Sequence, residues 1–285
     1  MLSAFLALSA FLALDTAITH AMRMGAFRVS PYGLCAAVGL MTSIASASRA
    51  ARHAPVKADA VWDVGLFAVM SCFLASRLLL VLRDPVAFKK YPLLVLSLPS
   101  LTFGGMAVAA VMMVLYLRYK RLHLLSLLDL FAPAGALLAA FLEFGHWLDG
   151  SETGMPSTLP WAVRDNSLST ALRFHPVALY GVVMALLLAM LLGAMLRRHL
   201  RRGFVAADGL MLGGIAAFVL DMFTQPSLGL ATRWLEPGQW IALLVMVAGA
   251  ALWSWVAVFG AHDNSLQNAD ELSSPHIAAL HMEVR

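Results

Sequence analysis

Charge is what this chain has least of. Asp, Glu, Lys and Arg make up 13% of its 285 residues, against roughly 25% in soluble domains, so a charged, water-solvated surface over a large soluble core is a poor reading. The formal net charge is only +4, and most of it sits in short loops. That pattern points to membrane orientation rather than to nucleic acid. Cysteine is scarcer still: Cys35 and Cys72, both within apolar stretches, make neither a disulfide scaffold nor a zinc pattern. No Asn-x-Ser/Thr acceptor is present, since Asn166 is followed by Ser-Leu. A basic start is missing too. Residues 1–13 are apolar, but no basic residue precedes them, no small-x-small cleavage site leads into a soluble domain, and Asp15 and His20 interrupt the run. The reading is an interfacial or partly inserted N-terminal helix, with an extra spanning helix as the alternative.

What replaces charge is long hydrophobic runs. Hydrophobic residues are 61% of the chain and the mean hydropathy is +0.80. Runs near the length a bilayer requires recur at Tyr32–Ala47, Val61–Leu82, Leu101–Leu117, Leu124–Phe144, Pro176–Leu196, Asp208–Phe223 and Gly238–Phe259. Leu93–Leu98 reads as a short re-entrant or interfacial piece. The expected fold is all-α: a polytopic membrane protein of seven transmembrane helices, an N-terminal interfacial helix and an outward-facing polar head. Residues 1–260 form one transmembrane domain with the head at 145–175, and the polar tail at 261–285 is expected to lack fixed structure.

Basic residues set the orientation. Arg49, Arg52 and Lys57, then Arg118, Lys120 and Arg121, then Arg197, Arg198, Arg201 and Arg202 follow the first, third and fifth runs. In an alternating bundle these clusters share one side, which the positive-inside rule makes cytoplasmic. The N-terminus and the head are then outside and the C-terminal tail inside. Lys89 and Lys90 fall on the other side, where a membrane-laid helix would account for them.

The polar residues concentrate in the stretch from Glu143 to Tyr180, which is rich in turns. A charge in hydrocarbon costs roughly 2.5–3.5 kcal/mol on insertion scales, so it usually faces protein or a polar cavity. Arg77, Asp129, Glu143 and Asp221 are such residues. Arg77 either snorkels to the headgroups or binds an anion such as a lipid phosphate. Asp129 reads as a structural partner. Glu143 and His146 share a helical face and suit a carboxylate-oriented imidazole acting as general base, or a structural pair. Adding Asp149 gives no recognised zinc pattern. Asp221, with Gln225, closes the same cavity from another helix or bonds between helices. His175 precedes Pro176 at the re-entry into the membrane, with Tyr180 on the same side as Pro176. Trp147, Trp161, Trp234 and Trp240 suit interfacial anchors. Gly104 and Gly105 either let helices approach or expose backbone donors to a phosphate.

Several of these pieces together resemble the prolipoprotein diacylglyceryl transferase family over roughly Tyr32–Ala248. They are Tyr32-Gly33, Ala75-Ser76-Arg77, Thr102–Gly105, Asp129 with Ala132-Pro133, Trp147–Gly150, Gly154, Pro160-Trp161, His175-Pro176 with Leu179-Tyr180, Asp208-Gly209, Phe218 with Asp221–Pro226, and Pro237–Gln239. The resemblance implies transfer of diacylglycerol from phosphatidylglycerol to a lipobox cysteine thiol, outside the bacterial inner membrane, with no metal or soluble cofactor. It also implies anionic phospholipid and a prolipoprotein signal peptide as partners, and no nucleic acid. On this reading Glu143, His146, His175 and Asp221 are the catalytic candidates. Arg77, Gly104, Gly105, Asp149, Gly150, Arg173 and Tyr180 are the substrate-binding ones.

The chain also departs from the family pattern. The pattern's arginine falls at Glu143, its asparagine at His146, its glutamate at Ser151 and its histidine before the Gly-Gly pair at Phe103. Its glutamate after the His-Pro pattern falls at Gly181. Two further arginines fall at Ala217 and Thr224, and a glutamate at Asp221. A catalytically inactive member that binds lipid or a membrane protein is the competing expectation. A small-solute transporter is the third, and the two-halved repeat that would mark it is missing.

Overall fold

The architecture is that of a computed structural model, which describes residues 23–24, 27–28, 30–90, 102–150, 154–164, 172–198, 201–225 and 235–272. The helix expected over residues 1–20, the piece at Leu93–Leu98, and Glu152 and Asp165 lie outside the described residues. A short antiparallel pair opens the described chain: β1 (Arg23–Met24) against β2 (Phe27–Arg28), with Arg23 opposite Arg28. Helices follow. They are α1 (Pro31–Ala50), α2 (Ala58–Arg83), α3 (Pro85–Lys90), α4 (Phe103–Tyr119) and α5 (Leu124–Asp149). A second small ladder, β3 (Val163–Arg164) with β4 (Arg173–Phe174), precedes α6 (Val177–Leu196), α7 (Phe204–Asp221) and α8 (Pro237–Leu272).

Six of these helices, α1, α2 and α5 to α8, are long and apolar enough to cross a membrane. The 17-residue α4 is apolar but shorter; at 1.5 Å per residue it is about 26 Å long, the low end of a span. Large apolar side chains stand open on these helices, among them Leu82, Leu115, Met190 and Leu244. Such exposure is costly in water and ordinary against lipid tails. The chain is therefore an all-α, multi-spanning membrane protein. Lys89 and Lys90 close the short helix α3. The last helix runs on beyond the apolar part ending at Val258, through Ala261 to Leu272.

The chain divides into two compact units, one of Ile44–Leu130 and one of Met1–Ser43 with Phe131–Arg285. In the first, Phe67 of α2 stacks on Tyr116 of α4 with centroids 4.2 Å apart. Thr102 caps α4, its hydroxyl accepting from the Gly105 amide at 3.1 Å, while its own amide donates to Ser76 Oγ at 3.3 Å. In the second, α7 and α8 meet through small residues from both sides. A Cβ on Gly214 would come 2.8 Å from the Ala242 carbonyl, and one on Gly249 would come 2.9 Å from that of Ala207. Backbone-to-backbone approach of this kind replaces the hydrophobic effect as the force joining helices in lipid.

Candidate functional site

A cavity of about 280 Å³ lies within the second unit, between α5, α6 and α7. Its walls are small or apolar: Ala136 and Ala139 from α5, Ala185 and Leu188 from α6, Gly213 and Ala216 from α7. Two carboxylates interrupt them. Glu143 enters from the last turns of α5 and Asp221 from the end of α7. Glu143 has room because residue 181 is glycine; a Cβ there would come 2.8 Å from Glu143 Cγ, Cδ and Oε2. Asp221 lies against the first turn of α8, where a Cβ on Gly238 would come 2.5 Å from Oδ1. Its other oxygen, Oδ2, is buried and accepts no hydrogen bond among the described residues.

Beside this cavity stands an aromatic cluster. Trp161 Nε1 donates to the Tyr180 hydroxyl at 2.7 Å, and His175 Nδ1 lies 3.3 Å from the same oxygen. The Phe223 ring is 5.3 Å from that of His175 and 6.1 Å from that of Tyr180. A small antiparallel network holds the four rings. β4 pairs with β3, placing Val163 opposite Phe174 and Arg164 opposite Arg173. On its other edge Ser157 N donates to Arg173 O and His175 N to Met155 O. Met155 N in turn donates to Phe223 O, and Gln225 Nε2 to Gly154 O. The segment after α7 is thus tied to the head by backbone bonds. Arg173 is exposed, as is Arg164 across the ladder. It lines a shallow open hollow with Pro156, Ser157 and His175.

His146 is placed differently from Glu143. Its ring lies 4.6 Å from that of Tyr32 at the start of α1, and it is not among the residues lining the cavity. Asp149, at the end of α5, accepts a hydrogen bond from Ser30 Oγ at 3.2 Å. Gly150 follows with φ of +63°, a left-handed turn that ends the helix. Glu143 thus lines the cavity, while the His146 ring packs on Tyr32 and Asp149 accepts from Ser30. Among the described residues no group of three or more His, Cys, Asp or Glu side chains converges as a metal site would need.

The other unit holds Arg77, Gly104 and Gly105. Arg77 is 5% exposed, its guanidinium sits 5.1 Å from the Phe73 ring centre, and Nε and Nη1 have no hydrogen-bond partner among the described residues. A buried cation with idle donors is poised for an anion. Replacing it with leucine is expected to leave the protein in plain detergent as stable or about 1–4 kcal/mol more stable. The same change should remove the stabilisation that added anionic lipid gives the wild type. Thermal unfolding with and without lipid reads both effects. Gly105 does not present a free donor, because its amide already serves the Thr102 cap.

Residues 19–255 match the family model described as prolipoprotein diacylglyceryl transferase, which is well over half of the chain. The chain belongs to the prolipoprotein diacylglyceryl transferase family. It is 31% identical over 268 residues to the phosphatidylglycerol–prolipoprotein diacylglyceryl transferase of Leptothrix cholodnii, covering 83% of this chain and 95% of that protein. It is 27% identical over 249 residues to that of Methylibium petroleiphilum, covering 82% and 94%. It is also 28% identical over 247 residues to that of Bordetella parapertussis, covering 83% and 94%. Lipid transfer is the chemistry of this family, and this member is a multi-pass membrane protein.

Five of the eight positions read above as departures from the family pattern share one place in the fold. Glu143, Gly181, Ala217, Asp221 and Thr224 all line the 280 Å³ cavity, where the pattern has arginine, glutamate, arginine, glutamate and arginine. By that resemblance three arginine positions are changed, one of them to the acidic Glu143. The Glu143 side chain packs against Gly181, where a Cβ would come within 2.8 Å of it. Trp161 reads from sequence as an interfacial anchor; the structure joins its indole to Tyr180. Phe223 lies in the Asp221–Pro226 stretch of the resemblance, but its meeting with His175 is not readable from sequence, since nothing local marks an aromatic that will meet a histidine across a turn.

Proposed function

We propose that this chain is a divergent membrane lipid transferase that moves the diacylglyceryl group of a phospholipid to a cysteine thiol. The observation carrying this reading is the cavity at the ends of three spanning helices, holding Glu143 and Asp221 beneath the His175–Tyr180 cluster. The relatives' names supply the reaction class: phosphatidylglycerol as donor, a prolipoprotein as acceptor. In the proposed step the thiol sulfur attacks the glycerol carbon that bears the phosphate. A carbon–sulfur bond forms, the carbon–oxygen bond breaks, and the phosphate monoester leaves with the electron pair. Glu143 takes the thiol proton, with His146 one turn on as its partner. His175 and Tyr180 position the reacting groups, Asp149 and Gly150 fix the end of α5, and exposed Arg173 meets the leaving phosphate. Arg77 is assigned separately to a lipid phosphate, beside the close-packed Gly104 and Gly105. The work asked of the site is activation of a thiol and stabilisation of a departing anion.

The basic residues after α1, α4 and α6 support a bacterial inner-membrane topology with the N-terminus and head outside and the C-terminal tail in the cytoplasm. A second reading has one observation in its favour. No basic residue lines the cavity among the described residues, which suits a silent member that binds lipid or a membrane protein without turnover. The deciding assay supplies purified protein in vesicles with phospholipid and a lipobox peptide, and follows the peptide's mass. A diacylglyceryl increment is expected, with Glu143→Gln and His146→Ala each lowering the rate by roughly 100-fold or more. A peptide that never gains mass, in vesicles of any phospholipid, sinks the transferase reading.

A further inference from the structure

We propose that Trp161 is a positioning residue which, through Tyr180, fixes the tautomer of His175. His175 then meets the phosphate of the lipid as a hydrogen-bond donor through Nε2, and is not the base that takes the thiol proton. The word phosphate rests on the transferase reading; the tautomer stands on the geometry of the cluster. Trp161 Nε1 donates to the Tyr180 hydroxyl at 2.7 Å, and His175 Nδ1 lies 3.3 Å from the same oxygen. An indole N–H can only donate, and a phenol has one hydrogen to give. With its accepting side held by the indole, the Tyr180 hydroxyl turns its hydrogen to His175 Nδ1. A neutral imidazole that accepts at Nδ1 carries its proton on Nε2. That second nitrogen makes no hydrogen bond among the described residues.

Both ends of this relay hang on one ladder. Trp161 lies in a turn closed by Ala162 N, which donates to Leu159 O at 3.0 Å, and Val163 just beyond pairs with Phe174. Phe174 precedes His175, whose amide donates to Met155 O at 3.0 Å and whose carbonyl accepts from Val177 N at 2.9 Å. Gly154 lets the neighbouring segment close in, since a Cβ there would come 2.9 Å from His175 Cβ. The Phe223 ring covers His175 and Tyr180 and brings no polar atom to compete. His175 also lines the open hollow with Ser157, Thr158 and Arg173. A guanidinium and an N–H donor together suit an anionic oxygen, and a phosphate monoester is the anion that the transferase reading releases. A thiol base needs a nitrogen without its proton. On this ring that nitrogen, Nδ1, already takes the Tyr180 hydrogen.

The test is nitrogen NMR of the imidazoles in the purified full chain, in detergent at about pH 9, where neutral imidazole prevails. The His175 signals are assigned by their loss in His175→Gln. In wild type the Nε2–H form is expected to exceed the Nδ1–H form at least roughly fivefold, the scale of one neutral hydrogen bond. Benzothienylalanine at position 161 keeps the shape of the ring pair and removes only the N–H. It and Trp161→Phe should each lower that ratio by about fivefold. The thermal midpoint should stay near wild type, because the Trp161 side chain is exposed. Glycerol phosphate should shift the Nε2 signal saturably, and Arg173→Gln should raise the concentration needed by roughly tenfold. A majority of Nδ1–H in wild type overturns the proposal. So does a ratio that the benzothienyl replacement leaves unmoved, or glycerol phosphate without effect on Nε2. A tautomer that depends on Trp161, with no transfer to peptide, would uphold this inference and reject the transferase; transfer with a tautomer indifferent to Trp161 would do the reverse.

Discussion

Gly181→Ala is expected to lower lipid turnover by roughly 100-fold, the scale of an ångström-level misplacement in an active site, while changing stability little. The added methyl would stand 2.8 Å from three atoms of the Glu143 side chain, so that side chain must rotate away. Because a flexible side chain gives way and not a helix backbone, the fold absorbs the change. Helix propensity even works in its favour, by roughly 1 kcal/mol for Gly to Ala. The same helix provides the control: around Gly193 nothing lies within 4 Å of the added carbon. Gly193→Ala should therefore gain the propensity term and keep full activity. Paired turnover and thermal-unfolding measurements on the two variants separate the cases. If both keep wild-type turnover, the position of Glu143 does not matter to the chemistry.

Gly105→Ala is expected to act on stability first, destabilising by roughly 3 kcal/mol or more, at or above the usual range for overpacking. Its added carbon would lie 2.5 Å from Ser76 Cα and 2.7 Å from Ser76 N. These are backbone atoms in the middle of α2, so the two helices must part. Parting them also strains the bond from the Thr102 amide to Ser76 Oγ. The neighbouring Gly104→Ala meets only a Leu79 methyl at 3.1 Å, which can swing aside, and should be close to neutral. Thermal unfolding and the yield of monodisperse protein measure the contrast. Equal behaviour of the two variants would mean that α2 and α4 are not held at backbone distance.

Most of the helical frame was legible in the sequence because hydropathy is a property of residue type, and lipid-facing residues announce themselves. The end of α5 was not. The apolar run stops at Phe144, yet the helix continues to Asp149. Glu143, His146 and Asp149 are polar, but they face the Gly181 gap, the Tyr32 ring and the Ser30 hydroxyl. A hydropathy window cannot tell a polar residue that meets protein from one that meets water. The final helix outlasts its apolar stretch in the same way, reaching Leu272 where Ala261 reads as the start of a tail. The candidate site was half legible. Glu143 and Asp221 stand out by the cost of charge in hydrocarbon, and both line one cavity. That His146 lies against Tyr32 rather than along the cavity wall depends on helix rotation, which spacing three apart does not fix.

Tyr180 and Gly181 are consecutive on α6, and Phe223 and Thr224 are consecutive at the end of α7. In each pair one residue belongs to the aromatic cluster and the other to the cavity wall. The two regions are thus the alternating faces of the same two backbone segments, and neither can shift without the other. Linkage makes this reciprocal. A molecule that orders the ring cluster and thereby tightens the cavity raises the affinity for the cavity's occupant by a certain factor, and that occupant raises the molecule's own affinity by the same factor. Two ligands, one at each face, would then recruit one another whichever arrives first.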